Sequence, residues 1–449
     1  MGQEVLEAAL TGSMRDYRLL RGRDLLERIE PFYEWQNLRR QSGLWPLGRS
    51  TEMGPHSRCQ ARTDEGNLFE GVNFASQDYL SLSSHPAVVD VAIETMRKFG
   101  VHSAGSPALV GNTSLSLALE RKIAAFLDAD HVSLFPTGWA AGFGVIKGLV
   151  RPNDHIVMDA LSHACLQEGA QAATQNIHLF RHNSIEAVRD KLARIRAKDT
   201  ENGILVVTES LFSMDSDTPD LAALQELCHE FNATLLVDVA HDLGCIGEDG
   251  RGFISMQNMH GKIDIVMGSF SKTFASNGGF VACNSPAVRQ YLKFYGCSAT
   301  FSNALSPVQA ATVAKAFDII GSERGRELRQ QLMDRVCRLR NGMTDKGLEV
   351  IGNPSAIVPV LVGDEALARM VSRRLPEKGV VSNLVEFPAV AKGNARFRFQ
   401  VMPKHTDQHI DEVVERFRAA VDDTQPEYRA YLAARRAAEA PPHQRAVGE

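Results

Sequence analysis

The amino-acid sequence predicts an α/β protein with a mostly parallel central sheet in a large domain, followed by a smaller C-terminal α+β domain. From about residue 70 to 285, short continuous apolar runs alternate with amphipathic segments of helical length. Strands of a parallel sheet read this way because helices cover both faces of the sheet. After about residue 321 the pattern changes to charged helical segments and a few apolar strands, which indicates a second, smaller region.

Six strands are predicted in the large domain, and each is followed by a turn or a helical segment. In chain order they are HVSLF at 131–135, HIVMD at 155–159, IHLF at 177–180, ILVVTES at 204–210, TLLVDVA at 234–240 and DIVMGSF at 264–270. The stretch 286–320 predicts one long helix. Ligands of such sheets bind beyond the carboxyl ends of the strands, so the residues after each strand are the candidates for chemistry.

Composition divides the chain into four predicted segments. They are an N-terminal helical arm over 1–71, a large domain over 72–320, a small domain over 321–425 and a flexible tail over 426–449. The arm is charged and helix-prone, which suits a helix lying on another surface, such as a second subunit, or an exposed solvated helix. The tail is rich in Ala, Arg and Pro, a composition typical of frayed ends.

Charge and cysteine content exclude several classes of protein. A net charge of -5 and a pI near 6.3 argue against a nucleic-acid-binding protein, whose binding surface would be basic. The seven cysteines are scattered without a CxxC pair, which predicts reduced thiols in a cytoplasmic protein and no metal site. No segment reaches the roughly 18 apolar residues of a membrane helix, so no membrane span is expected.

Polar residues follow four of the predicted strands. Thr137-Gly138-Trp139 opens a helix, and backbone N–H groups at a helix start suit a phosphate, although capping alone also accounts for this sequence. An apolar strand ends in Asp238, whose burial would be costly without a cationic partner. A protonated pyridine nitrogen is such a partner, and His241 could reach the ring from the side; the alternative is an Asp that caps the next helix. His163 and Glu209 follow two other strands.

Lys272 lies just after the last strand, among Ser and Gly residues that let backbone approach a ligand closely. A lysine that forms an imine must be partly desolvated so that its neutral amine is accessible. Most lysines are surface residues, so Lys272 alone does not indicate a cofactor site, and its occurrence together with other groups is what counts. A phosphate anchor, a ring-stacking imidazole, a buried acid and a lysine all fall at strand ends of one sheet, and these are the parts of a pyridoxal 5'-phosphate (PLP) site.

An ordered series of motifs between about residues 72 and 418 resembles the α-oxoamine synthases. The motifs are DYLSLSSHP, LSHACLQEG, VTESLFSMDSD, VDVAHDLGCIGEDGRG, GSFSKTFASNGG, TFSNALSP and ARFRFQVMPKHT. This family of PLP-dependent enzymes of fold type I includes 8-amino-7-oxononanoate synthase, 2-amino-3-ketobutyrate CoA ligase, 5-aminolevulinate synthase and serine palmitoyltransferase. The resemblance implies an acyltransferase that condenses an amino acid with an acyl thioester, giving an α-amino ketone, CO2 and a free thiol.

The resemblance also implies roles for individual residues. Lys272 matches the lysine that holds PLP as an imine and moves protons, His163 the ring-stacking histidine, and Asp238 the partner of the ring nitrogen. The remaining matches are with residues that contact the phenolic oxygen, the phosphate or the substrate: His241 and Ser213; Thr137, Gly138, Trp139 and Ser269, with Ser302 and Asn303 reaching across a homodimer interface; and Arg398, Gln77 and Ser106. Glu209 is expected beside the cofactor.

Three departures from the family pattern bear on the choice of substrate rather than on the reaction. Gln77 stands where Asn is usual, and Pro107-Ala108 follow Ser106 where a Gly-Ser-Arg is common. Glu386 favours a cationic or polar amino acid if it faces the substrate, or is a surface residue. The acyl carrier is CoA or an acyl carrier protein. Rival interpretations are an aminotransferase or lyase of the same fold, or a non-catalytic partner subunit, which the presence of Lys272, Asp238 and His163 opposes.

Overall fold

The computed structural model describes residues 3–439, which form two compact units. One unit comprises 3–76, 335–352 and 357–439, and the other comprises 77–334 with 353–356. The four segments predicted from composition divide the chain differently, and their boundaries stay predictions.

The N-terminal part of the first unit contains both helices and strands. The elements are α1 (Gln3–Leu10), a 3-10 helix (Glu27–Ile29), α2 (Glu30–Gln41), β1 (Ser50–Thr51), β2 (Arg58–Arg62) and β3 (Leu68–Asn73). The three strands pair antiparallel in the order β1-β2-β3. Ala9, Leu10 and Leu44 pack with Ala366 and Met370 of the same unit, so α1 and the loop after α2 contact a common apolar cluster.

The second unit alternates strands with helices, as the sequence predicts. Its elements are α3 (Pro86–Phe99), α4 (Ser114–Leu127), β4 (His131–Phe135), α5 (Gly138–Leu149), β5 (His155–Asp159), α6 (Ala164–Ala173), β6 (Ile177–Phe180), α7 (Ile185–Arg196), β7 (Ile204–Glu209), α8 (Leu221–Glu230), β8 (Thr234–Asp238), α9 (Gly252–Met256), β9 (Ile265–Ser269), β10 (Gly279–Cys283), α10 (Pro286–Tyr295), α11 (Cys297–Thr300), α12 (Pro307–Ile320) and α13 (Glu323–Asp345), of which the last continues into the first unit.

The seven strands of this unit form one sheet in the order β4-β10-β9-β8-β7-β5-β6. β5, β6, β7, β8 and β9 pair parallel, whereas β10 runs antiparallel to both of its neighbours. The predicted, mostly parallel sheet is therefore confirmed. The sequence does not predict β10, because GFVAC begins with glycine and directly follows a glycine-containing loop.

The prediction of one long helix over 286–320 is wrong. The segment is divided into α10, α11 and α12, with breaks at Gly296 and between Phe301 and Ser306. A Cβ at Gly296 would lie 2.6 Å from the carbonyl oxygen of Leu292, so this position requires glycine where the chain turns. Ser306 begins α12 with a capping box that it shares with Gln309, which fixes the new start.

The remainder of the first unit contains a second sheet. Its elements are β11 (Glu349–Val350), β12 (Ile357–Gly363), α14 (Glu365–Arg374), β13 (Val380–Val381), β14 (Asn383–Val385), β15 (Ala395–Gln400) and α15 (Asp407–Glu439). Four strands form a sheet in the order β11-β12-β15-β14, and β13 joins β3 in parallel. The sequence predicts a flexible tail from about 426, whereas α15 continues as a helix to Glu439; the rest of that tail lies outside the described residues.

No helix within residues 3–439 combines the length and apolar character that crossing a membrane would require. Over the same residues, no cluster of three or more His, Cys, Asp or Glu side chains has the arrangement of a metal site.

Candidate active site

The carboxyl ends of the parallel strands border a cavity of about 220 Å³ in the second unit. Because each strand is followed by a loop at this edge, residues far apart in sequence meet there. Nine predicted site residues line the cavity: Thr137, Gly138, Trp139, His163, Glu209, Asp238, His241, Ser269 and Lys272. The structure therefore brings together the amine, the buried acids and the helix start that the sequence singled out.

One wall of the cavity is the start of α5. Thr137 caps this helix, its hydroxyl oxygen accepting a hydrogen bond from the backbone N–H of Ala140 at 3.0 Å. A Cβ at Gly138 would lie 2.3 Å from Oγ of Ser269, so only glycine lets the helix start approach the end of β9 this closely. The Ser269 and Ser271 hydroxyls lie 2.7 Å apart. Hydroxyls and a helix start in one wall suit an anionic group.

His163 is held at two points in the loop between β5 and α6. Its backbone N–H donates to Oε1 of Glu209 at 2.6 Å, and its Nδ1 accepts the backbone N–H of Cys165 at 3.2 Å. An Nδ1 that accepts a hydrogen bond carries no proton, so the neutral ring has its proton on Nε2. Burial lowers the pKa of His163; Asp238 opposes this shift and Lys272 adds to it. The ring is therefore a neutral donor through Nε2.

Asp238 and Glu209 are neighbouring buried acids. They are paired residues at the ends of the parallel strands β8 and β7, and both are at most 6 % exposed. Burial raises the pKa of Asp238, whereas a proton on His163 and the charge of Lys272 lower it. Burial also raises the pKa of Glu209 well above its usual range, and the charge of Asp238 raises it further. A cationic group in the cavity would stabilise the ionised form of Asp238.

A second layer of hydrogen bonds lies behind His241. Its Nδ1 is 3.0 Å from the phenolic oxygen of Tyr79, which is fully buried. The next residue, Asp242, accepts the Ser210 hydroxyl at 2.6 Å and the backbone N–H of Phe253 at 2.7 Å. These contacts fix the turn that follows β8, and with it the side of the cavity that His241 occupies.

The chemistry of this cavity fits PLP. The amine of Lys272 matches an aldehyde, the carboxylate of Asp238 matches a ring nitrogen that carries a proton, and the α5 start with Ser269 matches a phosphate. The close approach that Gly138 permits leaves a cradle that any side chain would fill. All of these groups line the same cavity.

Six predicted site residues are not among those that line this cavity. Five of them belong to the second unit without lining the cavity: Ser213, Gln77, Ser106, Ser302 and Asn303. Ser106 donates to the Thr300 carbonyl at 2.6 Å, and Asn303 lies 3.1 Å from Nε2 of His102. Arg398 lies in β15 of the first unit, opposite Pro359 and Asn383 of the adjacent strands, and is 9 % exposed.

Glu386 is neither a surface residue nor a free acid. Its two carboxylate oxygens accept hydrogen bonds from Arg39 at 3.0 Å and from Arg369 at 2.6 Å, and both arginines are at most 1 % exposed. The interpretation of Glu386 as an exposed surface residue is wrong. Its carboxylate is already engaged by two guanidinium groups, which argues against recognition of a cationic substrate by this residue.

Sequence reasoning missed several residues of the site. Cys165 and Ser271 line the cavity beside His163 and Lys272, and both could have been found from their positions one or two residues from a predicted site residue. Tyr79 lies two residues after Gln77, but no sequence pattern indicates its partner His241, which is 162 residues away in the chain. An aromatic residue at this position predicts a core residue and nothing more.

Comparison with known proteins places the chain in a family. Residues 70–417 match the family described as aminotransferase class I and II. The chain is 32% identical to the serine palmitoyltransferase of Sphingobacterium spiritivorum over 395 residues, which are 87% of this chain and 95% of that protein. It is also 32% identical to the 8-amino-7-oxononanoate synthase of Alkaliphilus oremlandii over 347 residues, 77% of this chain and 87% of that protein.

A solved structure of serine palmitoyltransferase with PLP as an internal aldimine has a TM-score of 0.84 to this structure. The two are 28% identical, and the match covers 90% of this chain and 100% of the other. The predicted fold, cofactor and enzyme class are thereby confirmed. The motif series, the relatives and the cavity agree: the chain belongs to the PLP-dependent α-oxoamine synthase family of acyltransferases.

Proposed function

We propose that this protein condenses an α-amino acid with an acyl thioester, releasing CO2 and the thiol and forming an α-amino ketone. The observation that carries the proposal is the meeting of Lys272, Asp238 and His163 in one cavity, at the ends of β9, β8 and β5. The chain's relatives named 8-amino-7-oxononanoate synthase and serine palmitoyltransferase support this reaction class.

PLP, when bound, withdraws electrons from the carbon that bears the substrate amino group. Nζ of Lys272 would hold the cofactor covalently and later take up and return the α-proton. The Asp238 carboxylate would keep a proton on the ring nitrogen, because burial makes an unpaired charge there costly. His163 would contact the ring and donate through Nε2 to the substrate carboxylate. His241 and Ser213 would contact the phenolic oxygen, with Tyr79 orienting His241.

The phosphate would be bound by the start of α5 and by hydroxyl groups. Thr137, Gly138 and Trp139 supply the helix start, and Ser269 lies within reach of Gly138. Glu209 would act indirectly, since its carboxylate holds the backbone of His163. Arg398 is the candidate for the substrate carboxylate, because a guanidinium can bind a carboxylate in bidentate geometry. Gln77 and Ser106 are candidates for contacts with the amino acid and the acyl chain.

The active form is proposed to be a homodimer in which Ser302 and Asn303 complete the partner's phosphate site. The loops that carry them and Ser106 are tied together by the Ala304 N–H, which donates to the Gly105 carbonyl at 2.8 Å. Exposed apolar side chains flank these loops: Leu109 is 84%, and Val110 and Phe301 are 87%, exposed. Large exposed apolar side chains grouped in neighbouring loops are typical of a protein interface. We also propose a cytoplasmic location, which the seven free cysteines support.

The test is a stoichiometric assay with purified, PLP-loaded protein. Amino acids are screened first by the change in cofactor absorbance, since their binding needs no acyl donor. Those that bind are then offered acyl-CoA and acyl carrier protein thioesters of increasing chain length, with CO2 and free thiol measured together. Equal amounts of CO2, thiol and amino ketone are expected from one carrier. Turnover of the amino acid without release of the thiol would instead indicate an aminotransferase or lyase.

A further inference from the structure

His182 lies between two carboxylates outside the cavity. It follows β6, with Nδ1 2.9 Å from Oδ1 of Asp159 and Nε2 2.9 Å from Oδ2 of Asp217. An imidazole that meets a carboxylate at each nitrogen donates from both only when it carries two protons. Burial opposes the charged form, but the hydrogen bonds and charges of the two aspartates raise the pKa of His182 to about 10. His182 is therefore a fixed cation at neutral pH.

The first carboxylate belongs to the loop that carries His163. Asp159 ends β5 and is fully buried, and its Oδ1 also accepts the backbone N–H of Leu161 at 2.9 Å. Its carbonyl accepts the N–H of Ser162 at 3.1 Å, which sets the turn one residue before His163. The Asp159 side chain thus fixes the turn that leads to His163, and the charged His182 ring is its ion-pair partner.

The second carboxylate belongs to the loop that carries Ser213. The Asp217 carbonyl accepts the backbone N–H of Phe212 at 2.9 Å, which closes the loop over 212–217. The Phe212 ring packs edge-on against the His182 imidazole, with centroids 4.5 Å apart. His182 therefore contacts the Ser213 loop through both a charge and a ring.

We propose that His182 is a positioning residue: one imidazolium ties the loop after β5 to the loop after β7, and thereby holds His163 and Ser213 at the cofactor site. The inference rests on the proposed function for the roles of those two residues. A neutral side chain at position 182 would leave the buried Asp159 without its counter-charge, and buried unpaired charges force rearrangement of their loops.

The experiment compares His182→Gln with His155→Gln in the PLP-loaded, full-length protein. His155 is the matched control. It begins β5, the strand that ends at Asp159, its Nε2 lies 3.0 Å from the carboxylate of Asp199, and it does not line the cavity. We expect His182→Gln to raise the PLP dissociation constant by about tenfold or more, the lower end of the cost of losing an orienting partner at metal sites. The visible circular dichroism of bound PLP should weaken in parallel, and His155→Gln should change neither.

A purely structural role predicts a different result: both variants would melt earlier, while PLP affinity and circular dichroism stay at wild-type values, and the proposal would be overturned. Asp217→Asn gives a milder variant if His182→Gln does not fold, because the Asp217 side chain is 31% exposed whereas that of Asp159 is fully buried. A smaller shift in the same direction is expected. A His182 ring that titrates near its ordinary pKa in NMR would also refute the inference. Wild-type protein that binds no PLP would instead sink the proposed function, and this inference with it.

Discussion

The phenolic oxygen of Tyr79 lies 3.0 Å from Nδ1 of His241, and this contact joins a segment near the start of the second unit to the turn after β8. Both side chains are buried, Tyr79 fully and His241 to within 6 %. A hydrogen bond to Nδ1 of His241 fixes the orientation of the ring and biases which nitrogen carries the proton. Tyr79, which does not line the cavity, therefore determines which edge of the His241 ring faces the cavity.

Tyr79→Phe should disturb the site more than the fold. Removing this hydrogen bond is expected to cost about 1 kcal/mol of unfolding free energy. The absorbance maximum of bound PLP and its pH dependence should shift, because His241 is the candidate contact of the phenolic oxygen. Tyr33→Phe is the control, since Tyr33 is 54% exposed and distant in sequence. An unchanged pH titration of the cofactor spectrum would show that Tyr79 does not orient His241.

Lys272→Ala should abolish the covalent attachment of PLP. Wild-type protein treated with borohydride is expected to retain one labelled peptide that contains Lys272, and turnover in the variant should fall by at least ~100-fold. Lys262→Ala provides the matched control, because Lys262 is an exposed lysine ten residues earlier. Label retained in Lys272→Ala would remove the central assumption of the proposed function.

Much of this site could be predicted because its residues follow the strands. Asp238 and Lys272 each end or follow an apolar run, and a parallel sheet brings the ends of its strands to one edge. The long-range partners could not be predicted in this way. From the sequence, Tyr79 is predicted to be a core residue and His182 a loop residue. Their roles depend on contacts between loops, which no local sequence pattern specifies.

The environment of Glu386 illustrates the same limit. An acid near the end of β14 suggested a substrate contact or a surface position, because the sequence gives no sign that Arg39, 347 residues away, reaches it. The break between α10 and α12 was missed for a related reason. Helix-forming residues flank Gly296 on both sides, and the close approach of the Leu292 carbonyl that requires the glycine appears only in three dimensions.

Asp242 should make stability depend on pH. Asp242 is fully buried, and burial raises its pKa to about 7. Hydrogen bonds from the Ser210 hydroxyl and the Phe253 N–H lower the pKa but only partly offset this effect. The folded protein therefore holds a proton that the unfolded chain releases near its ordinary pKa of ~3.9. This contribution to stability is complete below about pH 4 and is lost as the pH rises through about 7, by up to roughly 4 kcal/mol.

Asp242→Asn should flatten this dependence in urea unfolding of the PLP-free protein between pH 5 and 8. At pH 5 the variant is expected to match wild type to within about 1 kcal/mol, because the amide, like the protonated acid, is uncharged and offers one full acceptor to the Ser210 hydroxyl and the Phe253 N–H. Asp90→Asn, at an exposed position of α3, should leave the wild-type slope intact. If Asp242→Asn and wild type lose the same stability between pH 5 and 8, Asp242 is not the titrating group.

The carboxylate of Glu386 should anchor the N-terminal segment to the rest of the first unit. Arg369 donates to Glu386 and also to the carbonyl groups of Leu10, Thr11 and Gly12. Burial lowers the pKa of Arg39 to about 10, while the charge of Glu386 opposes this shift. Removing the acid leaves two buried guanidinium groups close together without their shared counter-charge, so Glu386→Gln is expected to cost about 3–5 kcal/mol.

Urea unfolding measures this cost, and limited proteolysis tests its location, since cleavage between residues 13 and 30 should accelerate in Glu386→Gln. The matched control is Glu52→Gln, which removes an acid from the exposed pair of Arg62 and Glu52 and should cost only about 0–1 kcal/mol. If Glu386→Gln and Glu52→Gln are equally stable and equally resistant, the buried pair contributes no more than a surface one. A double variant with Arg39→Met should recover part of the loss, because it removes one of the two unpaired cations.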